Sequence, residues 1–136
     1  MKLERIGLIG YGEVGKIFCA GLLKQPGVTG VGAWDLKFAQ AATQATERAH
    51  AAQAGIDAHS CMQALCEDSE LILSAVTASA TLAVAQEAAA FIRPGTIFLD
   101  LNSASPGTKQ QAATLIEAAG GHYVEAGVMT SVPPYG

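Results

Sequence analysis

Charge is scarce in this chain of 136 residues: Lys, Arg, Asp and Glu make up 15% of it, and the formal balance is −4. So thin and acidic a charge pattern offers no basic stripe for a polyphosphate backbone, which argues against nucleic acid as a partner. Aromatic residues are also few, at 6%, so a surface for stacking bases is missing. No uninterrupted apolar run is long enough to span a bilayer, so no membrane partner is expected. The start Met1-Lys2-Leu3-Glu4-Arg5 has neither a secretory core nor a small-residue cleavage site. Only three cysteines occur, Cys19, Cys61 and Cys66. Their spacing suits no metal and their number is odd, so they read as reduced, mostly buried thiols of a cytoplasmic protein. What is abundant is apolar: half the residues are hydrophobic. That supplies a core for one domain over residues 1–136, burying about 68% of the unfolded surface.

Against this background the run Arg5-Ile6-Gly7-Leu8-Ile9-Gly10-Tyr11-Gly12-Glu13-Val14-Gly15 stands out. A short apolar strand enters Gly-x-Gly-x-x-Gly, and a helical pattern follows at once. Gly10 permits the tight turn, Gly12 lets backbone approach a pyrophosphate, and Gly15 lets the helix pack closely on the strand. The free N–H groups and positive dipole end of that helix then face the phosphates. Three glycines in six residues also occur in ordinary turns, so the context decides. A second apolar run, Val28 to Ala33, closes with Trp34-Asp35, and Asp35 stands twenty residues beyond Gly15. A carboxylate at that distance meets the adenosine ribose hydroxyls of a dinucleotide. The loop Gly10, Tyr11, Gly12, Glu13, Val14 and Gly15, with Asp35, is therefore assigned to a cofactor, NAD or NADP. Asp35 would repel the 2′-phosphate of NADP and so favours NAD, while Lys37 could pair with that phosphate.

Strand and helix alternate along the rest of the chain. Val14, Ile17, Phe18, Gly21 and Leu22 recur at helical spacing and are expected to face a sheet. Lys37 to Gln53 reads as an Ala-rich helix, and Gly55 to Ala58 as a short strand. Ser60 is the expected cap of a brief helix through Cys66. Glu70 to Val76 and Thr96 to Leu101 are continuous apolar runs that suit parallel strands covered on both faces. Thr81 to Ile92 reads as helix. Ser105-Pro106 starts another helix to Ala119, and His122 to Ala126 forms the last strand. The alternation predicts an α/β fold with a doubly wound parallel sheet, whose ligand lies at the carboxyl ends of the strands.

The remaining candidate residues fall at those ends. Val76-Thr77-Ala78-Ser79 are small enough to leave room for a ribose or nicotinamide, and Val76 and Thr77 join the cofactor set. Asn102 and Ser103 lie in a polar loop after an apolar strand and are expected to touch a small-molecule substrate, with turn formation as the plainer reading. Asp100 is expected to order that loop by accepting backbone hydrogen bonds. Lys109 reads as a solvated lysine and Glu13 as solvent-facing. His50, His59 and His122 share no spacing for a metal site or a triad.

Ile6 to Gly15, Asp35, and Phe98-Leu99-Asp100-Leu101-Asn102-Ser103-Ala104-Ser105-Pro106 resemble the N-terminal domain of the β-hydroxyacid dehydrogenases, the family of 3-hydroxyisobutyrate and 6-phosphogluconate dehydrogenases. The resemblance covers nearly the whole chain and implies a Rossmann-type NAD(P)-dependent oxidoreductase. It implies hydride transfer between a nicotinamide and a small hydroxy acid whose carboxylate docks near Ser103. Asn102 stands where a hydroxyl residue is usual. The family's strand ending Asp-Ala-Pro-Val-Ser-Gly-Gly is replaced by Glu125-Ala126-Gly127-Val128-Met129-Thr130-Ser131 and Val132-Pro133-Pro134-Tyr135-Gly136, which departs from the family's usual substrate glycines. The resemblance also implies a helical C-terminal domain that supplies the catalytic lysine and much of a homodimer interface. This chain stops before such a domain, so no catalytic residue is assigned and the piece alone is expected to be inactive. Apolar surface near Val128 to Tyr135 is expected to drive association. The rival reading is a non-catalytic NAD(P)-responsive regulatory or redox-sensing module. The polar Asn102-Ser103 loop favours the enzyme, and reduction of an imine is a further variant of it.

Overall fold

The computed structural model describes residues 4–125, so Ala126 and the expectations for Val128 to Tyr135 lie outside the described residues. The elements are β1 (Arg5–Ile9), α1 (Glu13–Leu23), β2 (Gly30–Trp34), α2 (Gln44–Ala54), β3 (Asp57–Ala58), α3 (Met62–Glu67), β4 (Leu71–Ser74), α4 (Thr81–Ala89), β5 (Ile97–Asp100), α5 (Pro106–Ala118) and β6 (His122–Glu125). The six strands of the described residues are all parallel, in the order β3-β2-β1-β4-β5-β6. That is the order of a doubly wound dinucleotide-binding sheet, and the α/β fold read from the sequence holds. The chain winds outward from β1 to β3, returns beside β1 as β4, and winds outward again. The topology therefore reverses between β1 and β4, where a crevice opens.

Register brings the strand ends into line. Ile9 pairs with Trp34 and with Ser74, Ser74 with Asp100, and Asp100 with Glu125. The residue after each strand closes the ladder: Gly10 N donates to Trp34 O at 2.8 Å, Ala75 N to Ile9 O at 2.9 Å, and Leu101 N to Ser74 O at 3.0 Å. Every loop that follows is thus delivered to one edge. The core beneath is apolar, with Leu8, Ala33, Leu65, Cys66, Ile72, Ala85, Ala88 and Ile116 fully buried. At the opposite edge Arg5 reaches across to the Asp68 carboxylate, and Glu70 accepts the Glu4 and Arg5 N–H groups at 2.9 Å each.

Three local expectations change. Helix α1 turns Gly15, Phe18, Cys19 and Leu22 toward the protein, while Val14 and Ile17 are 37% and 49% exposed and Gly21 is exposed. The motif fixes this phase, because the residue nearest the strand must lack a side chain. The expected helix from Lys37 starts only at Gln44. Asp35 caps a short 3-10 turn over Leu36–Phe38 instead, which drops Phe38 into the core beside Tyr11, ring centroids 5.4 Å apart. The cap of α3 is Cys61, not Ser60, and Cys61 makes no side-chain capping bond. The Ser105 cap stands as expected: its Oγ accepts the Thr108 N–H at 3.3 Å, with Pro106 opening α5.

Candidate functional site

A cleft of about 620 Å³ opens at the crevice between β1 and β4. Its floor is Ile9, Gly10, Gly12 and Gly15 with the first turn of α1, one wall is Trp34 to Lys37, and the other is Ala75 to Thr77 with the flank of α4.

The three motif glycines meet different demands there. Gly10 has φ +104°, a left-handed backbone that side chains disfavour, and a Cβ on it would strike the Ala75 carbonyl. A Cβ on Gly15 would strike the Gly10 carbonyl and approach Leu8 Cδ2 to 3.1 Å. Both are required by the fold. Gly12 is not: a Cβ there would meet nothing within 4 Å, and its φ of −86° and ψ of −162° suit any residue. The missing side chain at Gly12 leaves cleft space open and has no structural cause among the described residues. Gly12 also caps α1 without any side-chain hydrogen bond, so the first-turn N–H groups lack a capping side chain. These are the features that a bound pyrophosphate fits.

Asp35 is held rigidly at the mouth. One carboxylate oxygen accepts the Tyr11 N–H at 2.7 Å and the other the Lys37 N–H at 2.9 Å. Each oxygen keeps lone pairs for a further donor. Lys37 is half-buried and lines the same wall.

Among the expected cofactor residues, Gly10, Gly12, Glu13, Val14, Gly15, Asp35, Lys37, Val76 and Thr77 all line the cleft, and Glu13 is exposed. Tyr11 does not. Its ring is 1% exposed beneath the loop, its hydroxyl meets His50 Nδ1 at 2.7 Å, and burial pushes the phenol up to about 12. Tyr11 therefore shapes the loop from below, with its N–H given to Asp35.

The two expected substrate residues, adjacent in the loop after β5, differ in burial. Ser103 is exposed, whereas Asn102 is 3% exposed and gives both ends of its amide to the protein. Neither lines the cleft. Asp100 accepts the Asn102 N–H at 2.8 Å, the loop-ordering role expected of it. Lys109 is not solvated: it is 6% exposed and its Nζ lies 3.3 Å from Glu125 Oε1. The histidines stay apart, and among the described residues no group of His, Cys, Asp and Glu could hold a metal ion. No helix of the described residues is long and apolar enough to cross a membrane. The sequence reading missed an apolar wall made of Leu36, Met62, Ala80, Ala83 and Val84. Leu36 is 66% exposed on the 3-10 turn beside the cleft.

Comparison with known proteins bears on this geometry. A conserved hypothetical protein from Sinorhizobium meliloti 1021 superposes with a TM-score of 0.89 at 36% identity, over 99% of this chain and 44% of its own. The conserved protein MTH1747, described as structurally similar to 3-hydroxyacid dehydrogenases, gives 0.74 at 31% identity over 97% of this chain and 46% of its own. A 3-hydroxyisobutyrate dehydrogenase of Mycobacterium tuberculosis shares the fold, with a TM-score of 0.79 at 21% identity, over 96% of this chain and 42% of its own. The chain thus spans less than half the length of these structures. Comparison with the curated proteins returned no match. Over residues 5–132 the sequence matches a family of cofactor-binding domains, and the chain belongs to that family, the NAD binding domain of 6-phosphogluconate dehydrogenase.

Proposed function

We propose that the chain is the cofactor-binding part of an NAD-dependent oxidoreductase acting on a small hydroxy acid. The single observation that carries the reading is the open space over Gly12, beside a fixed carboxylate and an uncapped helix start. In this reading the pyrophosphate rests on the amides of Glu13 to Gly15, and Asp35 accepts the adenosine ribose hydroxyls. The adenine ring lies in the apolar slot between Leu36 and the Ala83–Val84 flank of α4, which gives the exposed Leu36 its cover. The nicotinamide end then points past Thr77 toward the loop after β5, where exposed Ser103 would meet a substrate carboxylate. A bound nicotinamide supplies hydride acceptance and donation. The residues of this chain bind it, orient it and exclude water, and no described residue is assigned as the general base. The similarity of MTH1747 to 3-hydroxyacid dehydrogenases supports the substrate class.

Preference for NAD over NADP follows from charge. Asp35 cannot leave the ribose, because two backbone N–H groups fix it. A 2′-phosphate would sit against that carboxylate. Calorimetric titration with NADH and NADPH tests the reading directly: NADH should bind and NADPH bind more weakly. Asp35→Ala should weaken NADH by about 1.5–3 kcal/mol, the range for a hydrogen bond to a charged group, and NADPH much less. Equal losses for the two cofactors would defeat the assignment of Asp35.

A further inference from the structure

At the carboxyl edge of the sheet, one buried side chain joins the ends of two strands and leads to a third. Asn102 Oδ1 accepts the Val76 N–H at 2.7 Å, and its Nδ2 donates to Ser74 Oγ at 3.0 Å. Its own N–H donates to Asp100 Oδ1 at 2.8 Å, and Asp100 takes the Tyr123 hydroxyl on Oδ2 at 2.5 Å. A backbone N–H can only donate, so the amide atom facing Val76 is the oxygen and the orientation of Asn102 is set by chemistry. The resulting chain runs from Val76 in the cleft wall, through Asn102 and Asp100, to Tyr123 on the outermost strand. Asp100 is fully buried and Asn102 is 3% exposed.

We propose that Asn102 is a positioning residue, which fixes where Val76 and Thr77 stand in the cleft wall and touches neither cofactor nor substrate. The inference rests on the reading of the cleft as a dinucleotide site. Two observations carry it: both polar ends of the amide are engaged by the protein, and the side chain has no surface in the cleft. Truncation would orphan the Val76 N–H and the Ser74 hydroxyl beside the site. A buried polar group without a partner drives local rearrangement to reach water.

The test compares Asn102→Ala with the wild-type chain in two measurements. Calorimetry with NADH and with ADP-ribose should show both ligands weakened by the same factor, about 10-fold, because both use the shared wall. Amide hydrogen exchange followed by NMR should show Val76 exchanging faster while Leu8 and Ile72, in the centre of the sheet, stay protected. Ser74→Ala keeps the Val76 bond and should stay within about 3-fold of wild type. A variant that loses NADH affinity alone would reveal direct contact with the nicotinamide end and overturn the proposal. Unchanged affinity, unchanged Val76 exchange, or faster exchange across the whole sheet would overturn it equally. Failure of the wild-type chain to bind either ligand would instead remove the dinucleotide reading, and this inference with it.

Discussion

Two glycines three residues apart should respond oppositely to the same added methyl group. At Gly12 an alanine Cβ enters open cleft and the backbone already has an ordinary conformation. Loss of chain entropy in the unfolded state favours the alanine by about 0.4–1 kcal/mol. Alanine is the poorer helix cap by a similar amount, so folding stability should move by less than about 1 kcal/mol. A pyrophosphate seated on the amides, however, would meet the methyl. Crowding of that kind costs about 1–3 kcal/mol, or roughly 5- to 150-fold in Kd. At Gly15 the methyl meets the Gly10 carbonyl and Leu8, so α1 must lift from β1. The same 1–3 kcal/mol then falls on folding, a drop in Tm of roughly 4–12 °C. Calorimetric melting and NADH titration of both variants separate the two cases. Should Gly12→Ala bind NADH like the wild type, the phosphates do not lie on those amides. Should it melt as early as Gly15→Ala, the inference from open space to ligand is wrong.

Two further expectations concern buried titratable groups. Cys19 and Cys66 are buried, and desolvation pushes both thiols up to about 12, whereas Cys61 is exposed. A thiol reagent near pH 8 should therefore label Cys61 alone in the native chain and all three cysteines after denaturation; rapid native labelling of a second thiol would contradict the packing. His59 is held below its ordinary value, chiefly by desolvation and further by Arg5, against the opposite pull of Asp68 and Asp57. A depressed histidine leaves stability complete above the unfolded value of about 6.5 and lost progressively as pH falls below it. Denaturant midpoints should drop as pH falls below about 6.5, less so in His59→Gln. An identical slope in the variant would assign the loss to other groups.

The order of elements was legible because apolar runs and Gly or Pro punctuation alternate along the whole chain. Half of the cleft lining was legible, from Gly10, Gly12 to Gly15, Asp35, Lys37, Val76 and Thr77. What escaped had physical reasons. Val14, Ile17 and Gly21 keep helical spacing as well as Gly15, Phe18, Cys19 and Leu22 do, so periodicity alone could not choose the inner face of α1. The need for Gly15 to touch β1 could have chosen it. Asn102 in a polar loop reads alike whether its amide faces a ligand or the protein. Lys109 was recoverable: it shares the phase of Ala112 and Ile116, the buried face of α5, and the Ser105-Pro106 start fixes that phase. The Tyr11–His50 contact and the apolar slot join residues far apart in sequence, which only folding brings together.

Trp34, 9% exposed, is among the residues that line the cleft, and the chain has no other tryptophan. Tryptophan fluorescence, excited where the three tyrosines do not absorb, is therefore a single-site signal arising beside the proposed ribose. Occupancy of the slot and melting of β2 both act on one emitter, so ligand titrations and unfolding curves can be followed optically without an attached dye.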